Sequence, residues 1–275
     1  MDADDPARDE DELNGAPWDL HEAGGPVLAA AVHAGHHVRL ELRPWLLADE
    51  QTRLREEDPL TDFLLTAAGN LVRANRSRFE VDLNRPRHRC ISSDPEDTWG
   101  LTIWNEDLPE DAQERSRGLH DAFYAEVEAL LHRMIERHGR VLVLDFHSFN
   151  HRRDGPDEPA ADPAGNPDID LGVTELDWGL YGPLVERFAR TLRSEPVRGR
   201  TPDVRYNRRF PDGGEFPEWV NRTFGSRACT LTLEYKKFFM DEWGTNADVL
   251  HLQDLRRGVL RAVERATGDL HRVGS

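Results

Sequence analysis

The chain has 275 residues, 38% hydrophobic and 32% charged, which suffices for one large domain with a substantial core. A formal net charge of −17 argues against a nucleic-acid binder, which needs a basic footprint to displace counterions from phosphate. No apolar run is long enough to span a bilayer, and the acidic start lacks an apolar signal segment, so no membrane partner and a cytoplasmic location are expected.

Along the chain, residues 1–16 are rich in Asp and Glu and read as a disordered N-terminus, leaving 17–275 as a single domain. Val27-Leu28-Ala29-Ala30-Ala31-Val32 is a short apolar strand that runs into His33-Ala34-Gly35-His36-His37. Phe79-Glu80-Val81-Asp82-Leu83 alternates apolar and acidic residues as a strand does, then meets Asn84-Arg85-Pro86. The continuous run Val141-Leu142-Val143-Leu144 predicts a strand buried on both faces, ending in Asp145-Phe146-His147-Ser148. Thr230-Leu231-Thr232-Leu233 ends in Glu234. Between these runs, residues 117–138 carry Leu119, Phe123, Val127, Leu130, Leu131, Met134 and Ile135 at helical spacing, closed by Gly139. Residues 176–192 and 249–266 show similar faces, whereas 152–167 and 196–217 read as long loops. Strands alternating with helices predict an α/β domain, with helices flanking a mixed, mainly parallel central sheet. Cys90 and Cys229, the two cysteines, make neither a disulfide framework nor a cysteine-rich metal module.

Each of the four predicted strands ends in a group with chemical potential: His33, Asn84-Arg85, His147 and Glu234. In open α/β sheets ligands gather at the carboxyl ends of parallel strands, so these groups are expected on one rim. Two imidazoles and a carboxylate suit Zn²⁺ with one position open for water, and a separate glutamate can move that water's proton. His33 and His147 are the natural imidazole ligands and Glu234 the general base. The carboxylate ligand is open among the acids of Arg55-Glu56-Glu57-Asp58-Pro59-Leu60-Thr61-Asp62, and His36 is an alternate donor. Taken singly, each signal has a plainer explanation. A run such as Arg55-Glu56-Glu57-Asp58 is usually a solvated face, and Glu234 could pair with Lys236 or Lys237.

At these positions the sequence resembles the N-formylglutamate amidohydrolase family. The matching pieces are His33-Ala34-Gly35, an acid before a helix, Ser77-Arg78 followed by Asp82-Leu83-Asn84-Arg85-Pro86, Asp145-Phe146-His147-Ser148-Phe149, and Leu233-Glu234. The resemblance implies a zinc-carboxypeptidase-like fold and one Zn²⁺ per chain held by His33, Asp58 and His147, with Glu57 and His36 as alternates. Asp58 is favoured because Asp62 follows at the spacing of that family's paired aspartates. It also implies Glu234 as base, Asn84 and Arg85 as a clamp on a substrate carboxylate, and Arg78 as a second anion contact or a polariser of the scissile carbonyl. Arg152 and Arg153 are placed to read a further acidic group. The expected substrate is a small anionic N-acyl amino acid such as N-formylglutamate. Two other functions stay open: a carboxypeptidase-like enzyme acting on a short peptide, and an inactive anion-binding protein. The contexts Val32-His33-Ala34-Gly35-His36-His37, Glu234-Tyr235-Lys236-Lys237 and Asn150-His151-Arg152-Arg153-Asp154-Gly155 depart from the family's usual pieces and mark a divergent branch.

Overall fold

A computed structural model describes residues 15–270 and 273, apart from 93, 175 and 245. Most of the expected disordered N-terminus, residues 1–14, therefore lies outside the described residues. The described residues form one seven-stranded sheet. In chain order its strands are β1 (Trp18–His21), β2 (Val27–Ala31), β3 (Asn70–Ala74), β4 (Val141–Phe149), β5 (Ile169–Gly172), β6 (Val204–Tyr206) and β7 (Ala228–Lys236). They lie side by side as β1-β3-β2-β4-β7-β5-β6. β3, β2, β4 and β7 run parallel, as do β5 and β6. β1 joins β3, and β5 joins β7, antiparallel. This is the expected mixed, mainly parallel sheet.

Strand alternation sorts the core into two layers. Leu142, Leu144, Phe146, Leu231 and Leu233 face one way and are covered by α3 (Trp178–Ser194) and α5 (Val249–Leu270). Val141 and Val143 face the other way, with Phe123, Val127 and Leu130 of α2 (Glu110–His138) and Phe216 and Val220 of α4 (Glu215–Phe224). Asp145 and His147 continue the Val141–Val143 face, so the same parity that packs α2 delivers them together at the strand's carboxyl end. A short helix, α1 (Glu50–Glu56), leads directly into Glu57 and Asp58.

Two predicted elements differ. Residues 79–83 form turns rather than a strand. Their alternation reflects two kinds of interior: Phe79, Val81 and Leu83 enter the core, while Glu80 and Asp82 are equally buried as partners of arginine and histidine. The expected loop 196–217 contains β6 and the start of α4. Pro217 sits in the first turn of α4, where a missing N–H costs no helical bond. Short strands β1, β3 and β5 carry too few residues for their periodicity to stand out.

Candidate active site

His33 lies two residues past β2, while His147 and Glu234 lie within β4 and β7. These three strands are parallel and adjacent, so their carboxyl ends share one rim. His147 pairs in register with Glu234 across β4–β7, and Glu234 with Asp170 across β7–β5. Three titratable side chains thus stand in a row across three strands.

His33, Asp58 and His147 converge so closely that one ligand atom from each lies within 4.8 Å of the others. Each is only 2% exposed. Asp58 Oδ2 lies 2.9 Å from His147 Nδ1 and 3.4 Å from His33 Nδ1. The opposite ring nitrogens meet other carboxylates: His33 Nε2 is 2.6 Å from Asp82 and His147 Nε2 is 2.9 Å from Asp145. Asp145 reaches His147 because residues two apart on a strand share a face. Asp82 also accepts from Arg78, at 2.8 Å, and from the Asn84 backbone N–H. Both imidazoles are therefore oriented with Nδ1 toward Asp58, the carboxylate–histidine arrangement that supports metal ligation. His33 Nδ1 is buried without a hydrogen-bond partner among the described residues, an orphan that a cation between the three groups would satisfy. On this donor set and this orphaned nitrogen, the residues fit a divalent metal.

The electrostatics follow from burial. Burial alone would raise Asp58, but the imidazoles of His147 and His33 outweigh it and hold its carboxyl far below the usual range. Asp82 is held down likewise, against burial, by Arg78 and then His33. His147 is raised despite burial, chiefly by Asp145. Burial instead dominates at Glu234, and with help from Asp58, Asp145 and Asp170 pushes its carboxyl up to about 8. Asp170 itself accepts from the backbone N–H groups of Arg208, Arg209 and Phe210, fixing the loop that follows β6.

These groups open on a cavity of about 410 Å³ whose walls include Arg78, Arg85, Trp99, Arg153, Phe210 and Glu218. The Arg78 and Arg153 guanidiniums each lie 5.0 Å from the Trp99 ring, within cation–π range. A cavity of this size suits a small molecule or the end of a peptide.

The family profile described as N-formylglutamate amidohydrolase matches residues 25–237. The chain belongs to the N-formylglutamate amidohydrolase family. Membership makes it a hydrolase that acts on amide C–N bonds. Among solved structures, an N-formylglutamate amidohydrolase from Ralstonia eutropha JMP134 is similar at 19% identity. The match covers 94% of this chain and 99% of that one, with a TM-score of 0.71. A gene product from Agrobacterium tumefaciens is similar at 20% identity, covering 92% and 98%, with a TM-score of 0.61. A putative carboxypeptidase from Burkholderia mallei has 13% identity over 91% of this chain and 59% of its own, with a TM-score of 0.39. No curated protein matches.

The family's histidine–small–glycine piece has a local cause here. A Cβ on Gly35 would collide with the backbone of Asn75 and Arg76, so only glycine lets the His33 turn pass that segment. Other predicted positions separate. Glu57 and His36 bond each other at 2.5 Å, Glu57 also accepts from Ser77, and neither lies among the three convergent groups. Asp62 pairs with Arg73, away from the cleft. Arg85 lines the cavity, and its guanidinium has no carboxylate partner among the described residues. Asn84 lines it too, but its Oδ1 accepts from the Phe216 N–H and so caps α4. Arg152 is displaced from its expected place. Glu242 holds its backbone N–H, its side chain is exposed and reaches the Glu158 carbonyl, and Arg153 lines the cavity instead. Asp82, Asp145, Asp170 and Trp99 carry no role in the sequence reading. Asp145 alone had a legible signal, two residues before a histidine within a strand.

Proposed function

We propose that the protein is a zinc-dependent amidohydrolase that removes an N-formyl or other small N-acyl group from a carboxylate-bearing amino acid. The observation that carries this reading is the buried convergence of His33, Asp58 and His147, with both outer ring nitrogens held by carboxylates and Glu234 beside His147. His33, Asp58 and His147 would hold the zinc, which supplies Lewis acidity toward water and the scissile carbonyl. Glu234 takes a proton from the attacking water as its oxygen bonds to the carbonyl carbon. The same carboxyl returns that proton to the nitrogen as the C–N bond breaks, releasing acid and amine. Glu234 suits both halves by its place: it stands in register beside His147 and lines the same cavity, within reach of both the attacking water and the departing nitrogen of a bound substrate. Arg78 sits where it can steady the oxygen that gains charge. Arg85, without a carboxylate partner among the described residues and equipped with a bidentate fork, anchors the substrate carboxylate, and Asn84 fixes the neighbouring wall through α4. Of Arg152 and Arg153, both expected to read a second acidic group, Arg153 lines the cavity and takes that role.

The test is a zinc-replete hydrolysis panel of N-formyl, N-acetyl and short peptide substrates, run on the native chain and on Glu234→Gln. N-acyl amino acids are expected to turn over fastest, and Glu234→Gln to retain zinc but lose about 10²–10⁴ in kcat. Preferential release of a C-terminal residue from peptides would establish the peptidase alternative. Near-normal turnover by Glu234→Gln would remove the base assignment.

A further inference from the structure

Lys237 lies just past β7, three residues beyond Glu234, and is 1% exposed. A lysine so buried needs acceptors for its ammonium, and it has two. Its Nζ donates to the backbone carbonyls of Arg55 and Glu57, each at 2.6 Å. The second belongs to the peptide unit that joins Glu57 to Asp58. The other end of that unit, the Asp58 N–H, donates to the His33 carbonyl at 3.0 Å. The peptide plane that aims the Asp58 side chain is thus gripped from both sides, by the His33 segment and by Lys237. Lys237's own N–H donates to Phe149 at the end of β4, two residues past His147. One side chain therefore ties the strap carrying Asp58 to the strand ends carrying His147 and Glu234. A surface lysine bonded to solvent would do none of this.

We propose that Lys237 is a positioning residue of the metal centre: it locks the Glu57–Asp58 peptide so that Asp58 is presented to His33 and His147 at fixed distance. The inference rests on His33, Asp58 and His147 being the metal site. Without the ammonium, the strap between α1 and Leu60 loses its anchor to β7, and Asp58 must be ordered at the moment a cation binds.

The experiment measures zinc affinity by chelator competition, and Tm with and without zinc, for the native chain, Asp58→Ala, Lys237→Met, Lys237→Gln and Leu192→Ala. Leu192 packs between α3 and α5, on the sheet face opposite the site, and serves as a control for plain destabilisation. Asp58→Ala is expected to abolish tight zinc binding. A native chain that binds no zinc, or an Asp58→Ala variant that binds normally, would instead overturn the site itself. Lys237→Met is expected to weaken zinc binding about tenfold or more, as loss of supporting contacts around a metal ligand does, and to shrink the zinc-induced rise in Tm. Leu192→Ala should lower both melting temperatures and leave their difference unchanged. If Lys237→Met behaves as Leu192→Ala does, with native zinc affinity, the positioning role is refuted. Should Lys237→Met fail to fold, Lys237→Gln decides by the same two readouts: its polar amide is better tolerated by the buried carbonyls but is uncharged and one atom shorter, so weakened zinc binding is expected and native affinity refutes the role.

Discussion

His33 and His147 are held by the same device from different parts of the chain. Each presents Nδ1 to Asp58 and gives Nε2 to a further carboxylate, Asp82 from a buried turn or Asp145 from the same strand. Asp145→Asn removes the charge that fixes the His147 ring while keeping the side chain's size. Zinc affinity is expected to fall about 10–100-fold by chelator competition, and an unchanged affinity would deny Asp145 its role. Glu234 makes a second prediction, for the metal-free protein. Its folded-state pKa of about 8 stands above the ordinary 4.5, so between those values the folded chain holds a proton that the unfolded chain has lost. Stability contributed by this group is therefore present below pH 4.5 and lost as pH rises to about 8. Urea denaturation of metal-free protein across this interval should show the decline, and Glu234→Gln should flatten it. An identical slope in the variant would mean that Glu234 titrates normally.

Helix α4 shows how an element can escape sequence reading. Its N-cap, Gly214, has no side chain with which to cap it. The acceptor comes from Asn84, 132 residues earlier, which bonds the Phe216 N–H. A cap from so far away leaves no mark in the surrounding sequence, whereas α2 announces itself through 3.6-residue spacing and Gly139. Asn84→Ala is expected to cost about 1 kcal/mol, the usual loss on removing a cap, read as a lower denaturation midpoint. Because α4 walls the cavity, KM should rise with it, and an unchanged midpoint would show that the bond adds nothing to stability. Residues 79–83 teach the converse lesson. Period-two alternation normally means inside and outside, but here Glu80 and Asp82 are as buried as Phe79 and Val81, with Arg39, Arg78 and His33 as compensating partners. Pattern alone cannot distinguish a solvated acid from one buried against a cation.

At the scale of the whole molecule, His33, Asp58, His147 and Glu234 come from four separate stretches of chain that meet only in the fold, so the proposed metal site predicts that metal binding and folding are coupled. Zinc at a hundred times its Kd should stabilise the fold by about 2.7 kcal/mol, a Tm rise of roughly 5–10 °C. Scanning calorimetry before and after chelation measures it, and a Tm indifferent to chelator would speak against a resident metal. The acidic total charge of −17 does not prevent a site for anions, because Arg85 and Arg153 line the cavity directly and screening weakens the field of distant surface acids. What the sequence by itself determined was the α/β class, the family, the three long helices, and the candidacy of His33, Asp58, His147 and Glu234, because strand parity and short motifs are local properties. The tertiary structure alone decided which acid faces the imidazoles, that Glu57 and His36 engage each other, that Arg153 rather than Arg152 lines the cleft, and that Asp82, Asp145 and Lys237 brace the site. Those outcomes depend on which distant segments meet and which partner compensates each buried charge, and contacts of that kind leave no periodicity along the chain.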